Sequence, residues 1–302
     1  MTGRDRAQRG RPAEAVLTAY LLFSAASTAI LQPAEWAWLL AAHLMAIGLL
    51  VVASRRLPSH GPRAWRCVRT LLPLLTYPLL YHVTGRLNVA LSAWVLDAPI
   101  ERLESVLFGG QPSLYLAELL PWRSLSETLH LCYFSYYVLV VLLPVVLTLQ
   151  QRHAEASHTV FVLCLTFAIC LVFYVWLPVR SPYYAYPPLQ PTFSEGMLYR
   201  TAHYFSAQGG VVGGAFPSSH AALATVNLLL AYRYLRRAFW WTLLPTAGLL
   251  FATVYARYHY AIDTFAGVGL AFGVVVALGR GCVTGNGECA VTRQTNRSDE
   301  LR

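Results

Sequence analysis

Apolar residues run along this chain in long stretches, without the strict alternation of a half-buried strand. A membrane-crossing helix needs about 18 or more residues with few charges. Eight segments approach that length: 14–31, 36–53, 70–84, 130–149, 159–177, 218–235, 239–256 and 262–279. The third is short and broken by Pro73 and Pro78, and the sixth opens on the polar Ser218-Ser219-His220. Arg4, Arg6, Arg9 and Arg11 precede the first stretch much as a basic region precedes a signal peptide. Its length, and a second stretch after only Gln32-Pro33-Ala34-Glu35, instead predict a retained helical hairpin. The expected fold is all-α: a polytopic integral membrane bundle of about eight transmembrane helices with a six-helix core.

Arginine placement orients that bundle, because cytoplasmic segments carry the excess of positive charge. With both termini inside, seventeen of the 23 arginines fall on the inner side. Two long segments, 85–129 and 178–217, then lie outside. The first carries Asp97, Glu101, Glu104 and the turn Phe108-Gly109-Gly110-Gln111-Pro112, with an apolar stretch at Leu114–Leu120 suited to the membrane surface. Tyrosines and tryptophans crowd the outer ends of the spans, among them Trp122, Tyr133, Tyr136, Tyr137, Tyr174, Trp176, Tyr183, Tyr184 and Tyr186, as in an aromatic belt. The expected organisation is a basic tail and two-helix hairpin over 1–69, a core over 70–280, and a polar, disordered tail over 281–302.

Composition agrees with a membrane solvent. The chain is 56% hydrophobic and 12% charged, against about 25% charged in soluble domains. That excludes a disordered chain, a collagenous fibre and a coiled coil. The net charge of +9 comes from arginine alone, scattered between apolar runs with no aromatic-interleaved basic stripe, so no nucleic-acid partner is expected. The six cysteines form no Cys-x-x-Cys pair. Neither a metal site, nor a disulfide framework, nor a cofactor follows from them.

Ionisable groups at the edge of a span are costly and therefore informative. Between Glu195 and Glu288 the single acidic residue is Asp263, at the start of the last span in Arg257-Tyr258-His259-Tyr260-Ala261-Ile262-Asp263. A helix there would stack His259 and Asp263 on one face. The carboxylate would then fix the imidazole tautomer and leave Nε2 as a nucleophile or base. His220 closes a second cluster, Gly213-Gly214-Ala215-Phe216-Pro217-Ser218-Ser219-His220. Here Pro217 suits a first helical turn, Ser218 and Ser219 supply hydroxyls or a cap, and the helix start offers N–H groups to an anion. Arg180, in Pro178-Val179-Arg180-Ser181-Pro182, is a third polar intrusion. A lone His-x-x-x-Asp recurs by chance. Three clusters meeting at one outer membrane level outweigh that. His43, His82, His130, His153, His158 and His203 have no such partners and read as structural.

These motifs resemble the type 2 phosphatidic acid phosphatase superfamily of membrane lipid phosphatases and phosphotransferases. Pro217, Ser218 and His220 match its Pro-Ser-x-His; His259 and Asp263, followed by Ala266-Gly267, match its His-x-x-x-Asp; Arg180 and Pro182 match its first motif loosely. The likeness spans about residues 70–280. Ala252 and Thr253 stand where the family has Ser-Arg, and Phe173 where it has lysine. In this the chain is similar to the branch of inositol phosphorylceramide synthases, which also shows an aromatic run like Tyr133-Phe134-Ser135-Tyr136-Tyr137 and a loop like Leu107-Phe108-Gly109.

The resemblance implies a metal-independent, two-step displacement. His259, oriented by Asp263, forms a phosphohistidine; His220 serves as acid and then base; Arg180, Ser218, Ser219 and Arg257 hold the phosphate. The implied substrate is a membrane phospholipid, sphingolipid or polyprenyl-type lipid, with water or an alcohol such as inositol as acceptor. The implied place is the cell (inner) membrane, with both termini cytoplasmic and the site on the outer, periplasmic or lumenal face. The rival reading is a transporter or lipid-binding protein using the same polar cluster, although transporters place such sites near the midplane.

Overall fold

The computed structural model describes residues 12–32, 35–56, 62–90, 95–187 and 196–279. The basic tail and the polar tail expected over 281–302 lie outside the described residues. Helices α1 (Pro12–Leu31) and α2 (Trp36–Arg56) form the N-terminal hairpin. It is closed by His43, whose ring nitrogens bond the Leu39 carbonyl and the Ser24 hydroxyl. The third expected span is two helices, α3 (Arg63–Leu75) and α4 (Tyr77–Ala90), parted at Thr76. Pro73 and Pro78 flank that break, and neither has an N–H for the helical ladder. The fourth starts earlier than hydropathy suggests, as α7 (Arg123–Phe134), and bends at Ser135 into α8 (Tyr136–Leu149).

The bundle is completed by α9 (His153–Trp176), α12 (Ser219–Tyr234), α13 (Arg236–Tyr255) and α14 (Ala261–Gly279). Between them and α4 lie four shorter helices on the loop side: α5 (Asp97–Phe108), α6 (Pro112–Leu119), α10 (Pro182–Ala185) and α11 (Met197–Gly209). All eight expected spans are thus helical, and the chain is an all-α membrane bundle. By length and composition, five helical stretches among the described residues can cross a membrane: Pro12–Leu31, Arg123–Leu149, His153–Trp176, Arg236–Tyr255 and Ala261–Leu278, with Trp36–Val52 as a shorter apolar one. Helix α12 has only 16 residues, about 24 Å at the usual rise. It is enclosed by α9, α13 and α14, so its length is set by neighbours rather than by lipid.

Helix α9 is the centre. It is apolar on every side, burying Leu163, Phe167, Leu171 and Tyr174 against α1, α4, α8 and α12. The outward faces remain apolar too, with Trp241, Leu244 and Val276 widely exposed. That pattern suits hydrocarbon as the outer solvent.

Helix α5, which the apolar runs did not mark, is amphipathic in the reverse sense. Asp97 and Glu104 are buried while Leu103, Val106 and Leu107 are exposed. Its acids turn inward to hydrogen-bond partners, and its apolar face is left outward. The expected surface stretch at 114–120 is α6, running from Pro112 to Leu119. Glu127 of α7 holds the start of α11, accepting the N–H groups of Leu198 and Tyr199.

Helices α12 and α14 approach closely at Gly267. A Cβ there would lie 2.4 Å from the Ser218 carbonyl oxygen and 3.2 Å from Ala221 Cβ. Neither is a flexible side-chain tip, so the helices must part to admit a methyl group. Gly267→Ala should therefore cost about 1–3 kcal/mol of stability, the usual range for overpacking. It should also slow any chemistry that needs both helix starts. Thermal unfolding in detergent, read beside turnover, checks both.

Candidate active site

Three chain segments meet at the loop end of the bundle. Val179 and Gly214 form a short parallel bridge, with Val179 N–H on the Gly213 carbonyl and Ala215 N–H on the Val179 carbonyl. The third segment joins through side chains. Ser181 Oγ donates to the Arg257 carbonyl at 3.1 Å. His259 Nδ1 lies 3.0 Å from the Ala215 carbonyl. The Ser218 N–H donates to the Asp263 carbonyl at 2.9 Å. Asn88 braces the bridge from α4, donating to the Tyr174 carbonyl and accepting the Gly213 N–H.

His259 is buried and precedes α14, so it shares no helical face with Asp263. The reading of a helical i,i+4 pair is corrected on that point. The turn is formed by Arg257, which takes a left-handed φ of 63°, unusual for a residue with a Cβ. His259 N–H closes the turn on the Thr253 carbonyl. The carbonyl of Ala215 makes Nδ1 the protonated nitrogen, because a carbonyl only accepts. Asp263 Oδ2 stands 3.7 Å from the same nitrogen, just beyond hydrogen-bond reach. That oxygen accepts the Tyr260 N–H. The Nε2 lone pair is left for chemistry.

His220 enters from the second residue of α12. Ser218 is the cap of that helix, its Oγ accepting the Ala221 N–H, and Pro217 lies before the cap instead of in the first turn. The Ser219 N–H goes to the Tyr174 hydroxyl, which donates to the Pro217 carbonyl. Of the donors at this helix start, the His220 N–H is the one without a protein acceptor among the described residues. The His220 ring stacks on Tyr133, whose hydroxyl is 3.2 Å from Nε2. The rings of His220 and His259 are 5.7 Å apart between centroids.

Both histidines and Ser219 line an open cavity of about 70 Å³, with Tyr81, Tyr133, Tyr183, Tyr184 and Tyr258 among its other walls. Neither arginine lines it. Arg180 is held by Asp97, whose carboxylate takes the Arg180 N–H at 2.7 Å and its Nε at 2.6 Å. Its two Nη groups carry no protein hydrogen bond among the described residues. Arg257 points elsewhere, to the carbonyls of Ser113 and Pro187. Burial pulls its guanidinium below the usual arginine range, although a nearby Glu118 opposes that.

The structure therefore brings His220, His259, Asp263 and Ser219 together, with Arg180 paired to Asp97 outside the cavity lining, Ser218 as a cap and Arg257 turned away. Sequence reasoning missed Asp97, Tyr133 and the Ala215 carbonyl. It also left His130 and His203 as structural, and both rings lie 5.9 Å from that of Tyr258, one layer behind the cavity wall. Among the described residues no group of three or more His, Cys, Asp or Glu residues is placed to hold a metal ion.

A family model described as the PAP2 superfamily matches residues 100–277, more than half of the chain and all three motifs. The chain belongs to the PAP2 superfamily. Searches of curated proteins and of solved structures gave no match. Membership of the PAP2 superfamily points to phosphatase-type lipid phosphoesterase chemistry in a membrane-embedded protein. Thr253 lies six residues before His259. Its hydroxyl bonds Thr264 at 2.9 Å and ties α13 to α14.

Proposed function

We propose that this PAP2 protein transfers the phospho group of a membrane lipid through a phosphohistidine at His259. The observation that carries the reading is the pair of imidazoles 5.7 Å apart on one cavity, close enough to flank a single phosphorus atom. In the first step the Nε2 lone pair of His259 forms the N–P bond as the P–O bond to the leaving group breaks. Protonated His220 gives its proton to the departing oxygen. In the second step neutral His220 takes a proton from water or an alcohol, whose oxygen forms the new O–P bond as N–P breaks. His259 returns neutral.

Charge on the equatorial oxygens is met by the Arg180 Nη groups and the His220 N–H, fixed before the reaction begins. Asp263 and the Ala215 carbonyl keep Nδ1–H of His259 in place as the ring gains positive charge. Arg257 serves by holding the turn that presents His259. No step requires a metal. The catalytic core is residues 70–280 with the N-terminal hairpin as an addition, and the lipid enters from the outer leaflet, its head group level with the histidines.

Phe173, Ala252 and Thr253 leave the site poorer in cations than the general family pattern, and the tyrosine walls suit a head group recognised by stacking and hydroxyl contacts. These features favour an alcohol acceptor such as inositol over water, as in the inositol phosphorylceramide synthase branch. Incubating the purified protein with lipid donors, with and without inositol, tests this. A new phospho-lipid product that forms only with the alcohol is expected; free phosphate alone assigns a phosphatase. Orthovanadate, which adopts the pentavalent geometry of the transition state, should inhibit in competition with the donor. Turnover indifferent to it would contradict in-line displacement.

A further inference from the structure

The acids of α5 form a second layer behind the site, spaced so that all three face inward. Asp97 holds Arg180. Glu101 accepts the hydroxyls of Tyr186 and Tyr260 at 3.1 and 3.0 Å. Glu104, one turn further, is fully buried and accepts the Ile262 N–H at 3.3 Å. That N–H belongs to the first turn of α14, next to Asp263. Glu104 Oε2 and Asp263 Oδ1 are both buried, and neither has a hydrogen-bond partner among the described residues. Two carboxyl groups buried at the start of one helix, each with an open oxygen, do not both carry charge at low cost. The roles above do not use Glu104.

We propose that Glu104 is a positioning residue of the phosphotransfer site, its neutral carboxyl holding the start of α14 and letting Asp263 alone carry the charge that serves His259. The inference rests on the phosphohistidine reading above. Burial is the main reason the Glu104 carboxyl stays protonated up to about 7, with Asp263 and Glu101 adding to it and the N–H groups of Ile262 and Ala261 opposing. The groups around it are accounted for: Asp263 from α14, Glu101 and Asp97 on its own helix, the phenols of Tyr186 and Tyr260 on Glu101, and Arg180 committed to Asp97. Ionisation of Glu104 puts a second negative charge behind the nucleophile. That charge draws a proton onto His259 and repels the anionic donor.

The test compares wild type, Glu104→Gln and Glu104→Ala, with His259→Ala beside them. Glutamine keeps an oxygen for the Ile262 N–H and cannot ionise. Loss of the Glu104 proton should lower wild-type kcat/KM about tenfold between pH 6 and pH 8, following the neutral fraction of a group titrating near 7, and Glu104→Gln should lose that share of the fall and keep only the part that belongs to the acid His220. Glu104→Ala should lower kcat and leave KM near its wild-type value, as for a group that never touches substrate. The fold itself supplies a readout that needs no activity. A carboxyl raised by burial stabilises the fold below its unfolded pKa and loses that stabilisation as pH rises through about 7. The wild-type melting temperature should drop from pH 5 to pH 8, and that of Glu104→Gln should drop less. Superimposable wild-type and Glu104→Gln profiles in both turnover and melting, beside an inert His259→Ala protein, overturn the Glu104 assignment alone. A His259→Ala protein that still turns over overturns the phosphohistidine reading, and the melting comparison then decides the link between Glu104 and Asp263 by itself.

Discussion

His259→Ala is expected to remove phospho-transfer by about four orders of magnitude or more, the scale on which enzymes lose a covalent nucleophile. Nothing else in the cavity can replace it. The tyrosine hydroxyls around it are weak nucleophiles, and His220 already has its Nε2 against Tyr133. The imidazole makes one side-chain hydrogen bond, to the Ala215 carbonyl, and the turn is closed by backbone bonds from Arg257 and His259 themselves. The variant should therefore enter the membrane and keep its melting temperature within a few degrees. Loss of turnover with an intact fold separates a chemical role from a structural one. A melting temperature that collapses with the activity would place His259 among the packing residues. The comparison is a donor-lipid assay beside a thermal melt in the same detergent.

His220→Ala should cost about 10²- to 10⁴-fold, the usual worth of a positioned acid–base group, and the cost should depend on the leaving group. A lipid alkoxide leaves poorly without a proton. A nitrophenolate leaves well without one. The defect should accordingly be largest for the natural class of donor and shrink for a nitrophenyl phosphate ester in the first step. The second step still needs a base, so the variant should release one equivalent of nitrophenol rapidly and then stall. An equal loss on both donors would deny His220 the acid role and leave it a binding contact.

Much of this was legible in the chain because lipid leaves few options. Long apolar runs can satisfy their backbone polar groups only as helices, and all eight expected spans are helical. The segments that carry Arg180, His220 and His259 were expected at one level, and they do meet, although Arg180 does not line the cavity. What the sequence hid depends on tertiary contact. The i,i+4 spacing of His259 and Asp263 implied a shared helical face, yet Arg257 turns the chain and the helix begins two residues later, at Ala261. The acceptor for His259 is a main-chain carbonyl, which no residue type announces. Tyr133 was one aromatic among many at a membrane interface, and only its stacking on His220 sets it apart. The inward acids of α5 did leave a signal. Asp97, Glu101 and Glu104 recur at helical spacing opposite Leu103, Val106 and Leu107, and an acidic stripe facing an apolar one marks a helix at the interface.

The central claim is a covalent bond between phosphorus and His259, and rapid quenching of the His220→Ala protein with a radiolabelled, good-leaving-group donor tests it most directly. Labelled protein that is stable to base, labile to acid and mapped to the peptide containing residue 259 is the predicted result. Turnover in wild type with no label retained on the stalled variant, or label on a peptide without that histidine, would contradict it.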